Sequence, residues 1–290
     1  MRDHRGAAIP FVLVLLVSCS TAQGATVVDA GAADGGAAVD QLVGAKALFE
    51  HRLDATQLDQ AITQLDAMTS PEATLLAARA HLFRARAFRL RKRPLEKDGG
   101  LADLEKARTL SLRAWEALQP GVSSKIGTVD LESTLTSTPA TAVPAIVYRA
   151  SADWELSRWS NPVAGAMLLR EVRLLSARAV ELQPDFELAT PLRLHAIALA
   201  LLPGTAGGDF VQARFEFEKA IALAPNSVAN RLEEAARWSV KAQNLALFRA
   251  LLLSALKLDA QQPAEFRPEQ LLARAQVLAL LRRERELFGR

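Results

Sequence analysis

Apolar and polar positions alternate along this chain with helical period, and the clearest stretch runs from Leu201 to Pro225. Phe210, Ala213, Phe217 and Ala220 fall at i, i+3, i+7 and i+10, which is one face of a helix. Asp209 stands just before that face as an N-cap residue, and Gln212 three positions later completes a capping-box pattern. Pro225 closes the segment, because proline lacks an N–H and clashes with the preceding turn. The pattern returns 35 residues later, where Asn244 precedes Leu245, Phe248, Leu252 and Ala255 at the same offsets. That interval is close to the roughly 34-residue period of tetratricopeptide units. Upstream, Ala179 and Pro184 match Ala220 and Pro225 at an interval of 41, so the unit between them carries an insertion. The excess falls in the loop Pro203-Gly204-Thr205-Ala206-Gly207-Gly208, rigid at its start and permissive at its end. Two weaker units precede these. One runs from Asp54 to Met68, with Leu58, Ile62 and Leu65 on one face; the other runs from Leu101 to Gln119 and ends at Pro120 and Gly121.

Further punctuation agrees with helices throughout. Ser70-Pro71, Asn161-Pro162 and Thr190-Pro191 each set a capping residue before a proline at the first helical position. Arg267-Pro268 opens the last helix without a good cap. No strand-like alternation stands out. The expected fold is an all-α, tetratricopeptide-like solenoid of helical hairpins with about ten or eleven helices, continuous over residues 41–290. The longest apparent loop is Gly121 to Val143, rich in Ser and Thr; a loop of that length is either functional or poorly ordered.

The N-terminus reads differently. Arg2 and Arg5 precede an apolar run from Gly6 to Val17 that is too short for a typical membrane span. It ends Leu16-Val17-Ser18-Cys19, the pattern of a bacterial lipoprotein signal: residues 1–18 are removed and the Cys19 thiol receives the lipid. Cys19 is the only cysteine, so no internal disulfide is possible. Residues 19–40 then read as a lipidated cysteine with a flexible tether of about 20 residues, reaching on the order of 25 Å. Ser20 rather than an aspartate follows the lipidation site, which points to the outer membrane.

Composition narrows the function classes. The chain has 35 Lys and Arg against 32 Asp and Glu; without Arg2, Arg5 and Asp3 the balance is 33 to 31. Nothing there favours nucleic acid. Histidines are scattered at His4, His51, His81 and His195, and no metal-binding, phosphate-binding or nucleophile-elbow motif occurs. The reading is therefore of a protein with no catalytic constellation, no metal and no cofactor. Arg84, Arg86, Arg89, Arg91, Lys92 and Arg93 form a basic concentration, read either as charge complementing a helix C-terminus or as contact with an acidic partner. Aromatic residues gather between Pro144 and Trp159. Tyr148, Ala152, Glu155 and Trp159 share one face of that helix, with Trp154 pointing elsewhere. Tyr148, Trp154 and Trp159 either pack between repeats or line an apolar ligand cavity.

With these residues in view, the chain resembles the T component of TRAP transporters, the TatT family of periplasmic tetratricopeptide-like lipoproteins. The resemblance is carried by AKALFEHRLDATQLDQAI, by AIVYRASADWELSRW, by PDFELATPLRLHAIALALLPGTAGGD and by the closing LLARAQVLALLRRERELF. It covers about residues 41–288. Asn244 and the LLARAQ opening of the last helix depart from its pattern. The resemblance implies a non-enzymatic transport accessory that forms homotrimers, carries a pore-like cavity for a hydrophobic ligand, and docks a periplasmic solute-binding protein. It assigns Pro203, Gly204, Gly207, Gly208 and Asp209 to a motif loop, either structural or in contact with a partner. The competing reading is a general envelope scaffold with no small ligand. A closed apolar cavity faced by Tyr148 or Trp154 favours the first reading; an open groove with polar walls favours the second.

Overall fold

A computed structural model describes the backbone over residues 32–91 and 99–289, and side chains over residues 39–88 and 100–289. Cys19, the expected signal segment and residues 19–31 of the expected tether lie outside the described residues, as do the side chains of Arg89, Arg91, Lys92 and Arg93.

Among the described residues the fold is all-α, with 80% of them helical and thirteen α-helices. Ten run twelve residues or longer, which agrees with the expected number. In order they begin with α1 (Ala32–Glu50), α2 (Ala55–Asp66), α3 (Pro71–Arg91) and α4 (Gly99–Leu118). The middle of the chain forms α5 (Leu131–Thr136), α6 (Val143–Ser157), α7 (Pro162–Leu182) and α8 (Phe186–Leu201). The last third forms α9 (Phe210–Leu223), α10 (Val228–Glu233), α11 (Leu245–Lys257), α12 (Arg267–Arg282) and α13 (Glu284–Phe288). The helical region begins earlier than residue 41: α1 takes in residues 32–40 of the expected tether, where alanines favour helix.

The caps form where the sequence puts them. Asp54 accepts from Thr56 N and Gln57 N, Asp209 from Val211 N and Gln212 N, and Asn244 from Leu247 N. Ser70 and Asn161 cap α3 and α7 through Ala73 N and Ala164 N. Each such cap is worth about 1 kcal/mol. The capping box at α9 is only half made, because Gln212 Nε2 donates instead to Glu216 Oε1 at 2.9 Å. Ala213, Phe217 and Ala220 are fully buried, as are Phe248, Leu252 and Ala255 in the following unit. Phe210 stacks on Trp238 with centroids 5.1 Å apart.

Successive helices pack as antiparallel neighbours, α3 on α4, α6 on α7 and α8 on α9. The array also curls back, since α12 packs against α3. Helix α6 lies at the centre of this curl and is buried on every side from Val143 to Leu156, apart from Pro144. A helix buried all round has its polar side chains inside as well, and Arg149, Asp153 and Glu155 are interior charges.

The segment from Gly121 to Val143 is not an open loop. It folds into two 3-10 turns and α5, held by the helices on either side. Glu116 accepts from Gly121 N at 2.5 Å and Ser123 N at 2.7 Å. Gln119 Oε1 accepts from Trp115 Nε1 and Thr138 Oγ1. Arg178 donates to the carbonyls of Thr136 and Thr138.

The motif loop shows why it needs its glycines. Gly208 carries no side chain because a Cβ there would sit 2.0 Å from the carbonyl oxygen of Leu202. Gly207 has φ of 87°, and a Cβ would meet the Arg173 guanidinium at 2.9 Å. Asp209 N donates to Leu199 O, tying the loop end back to α8.

Candidate functional site

The curl of the array leaves a cavity of about 120 Å³ between α3, α6, α8, α10 and α12. From α3 come Arg79, Leu82, Phe83 and Arg86, spaced at i, i+3, i+4 and i+7 so that all four share one face. Helix α6 supplies Tyr148, Ser151 and Glu155 at i, i+3 and i+7, and Trp154 at i+6. Trp154 is set apart from Tyr148 by its helical position, yet both line this one cavity, because the side of α6 that faces it is broad and runs from Tyr148 through Ser151 to Trp154. Trp159, expected on their face, is not in the wall. Helix α6 ends at Ser157, so Trp159 leaves the helical register and stands 39% exposed.

The first turn of α8 was not legible in the sequence. Glu187, Leu188 and Ala189 have φ of 43°, 60° and 60°, three successive residues in the left-handed region, and none is a glycine. Such residues cost about 1–2 kcal/mol each and persist only where the surroundings hold them. Here Ala189 N donates to Asp185 O, and Thr190 Oγ1 donates to Glu187 O at 2.6 Å. The right-handed helix resumes at Thr190-Pro191, where the sequence placed a helix start. Thr190 therefore ties down the strained turn instead of capping the helix.

That turn aims Glu187 into the cavity. Tyr148 Oη donates to Glu187 Oε1 at 2.7 Å, and Arg79 Nε lies 3.3 Å from the same carboxylate oxygen. Burial and the neighbouring Glu187 hold the Tyr148 hydroxyl protonated, well above its ordinary range. Arg79 also reaches Glu269 at 3.4 Å and Glu265 at 3.8 Å, so its charge is held firmly despite burial. Arg52, deeply buried between Phe49 and Phe83, donates to Glu269 Oε2 at 2.6 Å and to the carbonyl of Glu265. These pairs fasten α12 to the N-terminal helices and close that side of the cavity. On the other side Trp154 lies beneath Arg237, whose guanidinium is 4.7 Å from the ring centroid. Arg237 itself pairs with Glu233 at 2.9 Å, and Arg86 with Glu155 at 3.3 Å. The remaining wall mixes aliphatic Leu194, Ile197 and Leu232 with polar Thr190, Arg193 and Gln270.

The other residues singled out from sequence lie elsewhere. Pro203, Gly204, Gly207, Gly208 and Asp209 shape the α8–α9 connection and are not part of the cavity wall. His81 is a satisfied interior residue, with Nδ1 2.6 Å from Asp103 and Nε2 3.2 Å from Asp66. Arg84 of the basic concentration pairs with Asp59 and Asp103, and Arg86 belongs to the cavity. Among the described residues no cluster of His, Cys, Asp and Glu could hold a metal ion, and no helix is long and apolar enough to cross a membrane.

Helices α3, α6, α8, α10 and α12 thus surround a partly apolar cavity. The family model of the TRAP transporter T-component, TAtT, matches residues 55–288, and the chain belongs to that family. This makes it an accessory component associated with a TRAP transport system and with the cell envelope. No curated protein matches the chain.

Proposed function

We propose that this chain is a periplasmic lipoprotein subunit of a TRAP transport system, anchored through Cys19, that docks a solute-binding protein and holds a small hydrophobic ligand. The observation that carries the ligand reading is the cavity faced by both Tyr148 and Trp154, walled by five helices. A general scaffold offers an open groove, and it has no need of a left-handed turn to aim Glu187 inward. Lipidation confines the protein to a membrane surface, where a diffusing solute-binding protein meets it at raised effective concentration. Ser20 favours the outer membrane, and the family resemblance favours a homotrimer. The protein performs no chemistry on its ligand.

Affinity capture of the lipidated protein from crosslinked native cells tests the reading. Recovery of a solute-binding protein together with a TRAP permease is the expected result. Recovery of envelope-assembly proteins alone would replace the transport role with that of a scaffold.

A further inference from the structure

The cavity wall carries three arginines, and two are spent on carboxylates: Arg79 on Glu187 and Glu269, and Arg86 on Glu155. The third, Arg193, is not. Its Nη1 donates to Asn230 Oδ1 and its Nη2 to Thr190 Oγ1, both at 2.7 Å, and both acceptors are neutral. No carboxylate among the described residues comes within salt-bridge distance of it. The four acidic residues of the wall are each engaged by another cation: Glu155 by Arg86, Glu187 by Arg79, Glu233 by Arg237 and Glu269 by Arg52.

Arg193 is also held rigidly. Asn230 Nδ2 donates to the carbonyls of Leu188 and Ala220, which obliges its Oδ1 to face the guanidinium. Asn230 is itself wholly buried, with its N–H donating to Ser227 Oγ. The Thr190 hydroxyl proton goes to Glu187 O, which leaves a lone pair for Arg193. Two of the five guanidinium N–H groups are spent on these anchors, and three are left over. Burial, and after it the neighbouring Arg86, lowers the affinity of Arg193 for its proton to a pKa of about 10, with Glu233 and Glu187 offsetting only part of this, whereas Arg79 is held tighter than usual. An interior cation with no carboxylate in salt-bridge contact is costly to a fold, and a fixed fork of N–H donors matches a head group that presents two anionic oxygens side by side.

We propose that Arg193 anchors an anionic head group, so that the cavity's ligand is a small amphiphilic oxyanion, a carboxylate or sulfonate with an apolar tail. The tail lies against Leu82, Phe83, Trp154, Ile197 and Leu232. A cavity of about 120 Å³ fits a tail of about six carbons, since an apolar cavity of about 150 Å³ takes benzene. The proposal rests on the reading of this cavity as the ligand site and names the ligand's charge.

The test is calorimetric titration of the whole chain with hexanoate, hexane-1-sulfonate and hexanamide, which share one tail. Wild type is expected to bind both anions at least about tenfold more tightly than the amide. Arg193→Gln, checked for folding by circular dichroism, is expected to erase that preference while leaving amide binding within about threefold. Arg193→Lys keeps the charge and is expected to keep part of the preference. Ala229→Phe, which fills the cavity, is expected to lose all three probes. Equal binding of hexanoate and hexanamide by wild type overturns the anion anchor and leaves the cavity reading standing; that comparison decides even if Arg193→Gln does not fold. A preference that survives in folded Arg193→Gln overturns it equally. No binding of any probe, or binding that Ala229→Phe leaves intact, overturns both.

Discussion

The hydroxyl of Tyr148 donates to Glu187 Oε1 at 2.7 Å, which ties the central helix to the left-handed turn that opens α8. Tyr148→Phe keeps the ring and removes this bond, while Arg79 still engages the carboxylate. The loss expected is about 1–2 kcal/mol, read from the urea midpoint of unfolding. A midpoint unchanged within error would mean that the turn is held without Tyr148.

The two glycines of the motif loop differ in what they tolerate. Gly208→Ala forces a Cβ against the Leu202 carbonyl at 2.0 Å, a backbone contact that cannot give way cheaply. It is expected to cost about 2–4 kcal/mol or to prevent folding. Gly207→Ala meets the movable Arg173 guanidinium and a positive φ, and is expected to cost about 1–2 kcal/mol. Thermal unfolding of the two variants checks the order; Gly207→Ala proving the worse would contradict it.

Trp154 and Trp159 lie five residues apart and do opposite work. Trp154 is buried against the cavity and two arginines. Trp154→Ala is expected to lose about 3–5 kcal/mol. Trp159→Ala, at an exposed position beyond the helix, is expected to lose only about 0.5 kcal/mol. Comparable losses in denaturant titrations would return Trp159 to the core.

Glu234 supplies a pH dependence. Burial, together with the nearby Glu218, pushes its carboxyl up to about 7 from 4.5. Between those values the unfolded chain releases this proton while the folded chain keeps it. The contribution of this group is therefore full below about pH 4.5 and is lost as pH rises towards 7. Glu234→Gln is expected to flatten the stability curve, by on the order of 1–2 kcal/mol between pH 5 and pH 8. Unfolding curves at the two pH values decide it; an unaltered slope would show that Glu234 is ionised throughout.

The features legible in the sequence are the local ones. Asp209 and Asn244 cap their helices, and Phe217 and Phe248 are buried, because a cap and a helix face are set within a few turns of chain. The cavity was only half legible. Tyr148 and Trp154 could be singled out as aromatics, but Arg79 of α3, Glu187 and Arg193 of α8 and Glu269 of α12 meet only because three helices distant in sequence converge on one cavity, which no local spacing encodes. The left-handed turn at Glu187 was hidden because no glycine marks it. Trp159 was misplaced by two residues of helix, since the pattern gives no sign that α6 stops at Ser157. The segment from Gly121 to Val143 read as a loop because its order comes from side chains such as Gln119 and Arg178 on neighbouring helices.

The central claim is that the cavity walled by Tyr148 and Trp154 holds the solute of a transport system. The most direct measurement is mass spectrometry of small molecules that copurify with the protein from its native membranes. Wild type is expected to carry a defined small solute, and a folded Ala229→Phe variant to carry none. A wild-type protein free of solute, or the same solute retained by the filled variant, would contradict the account.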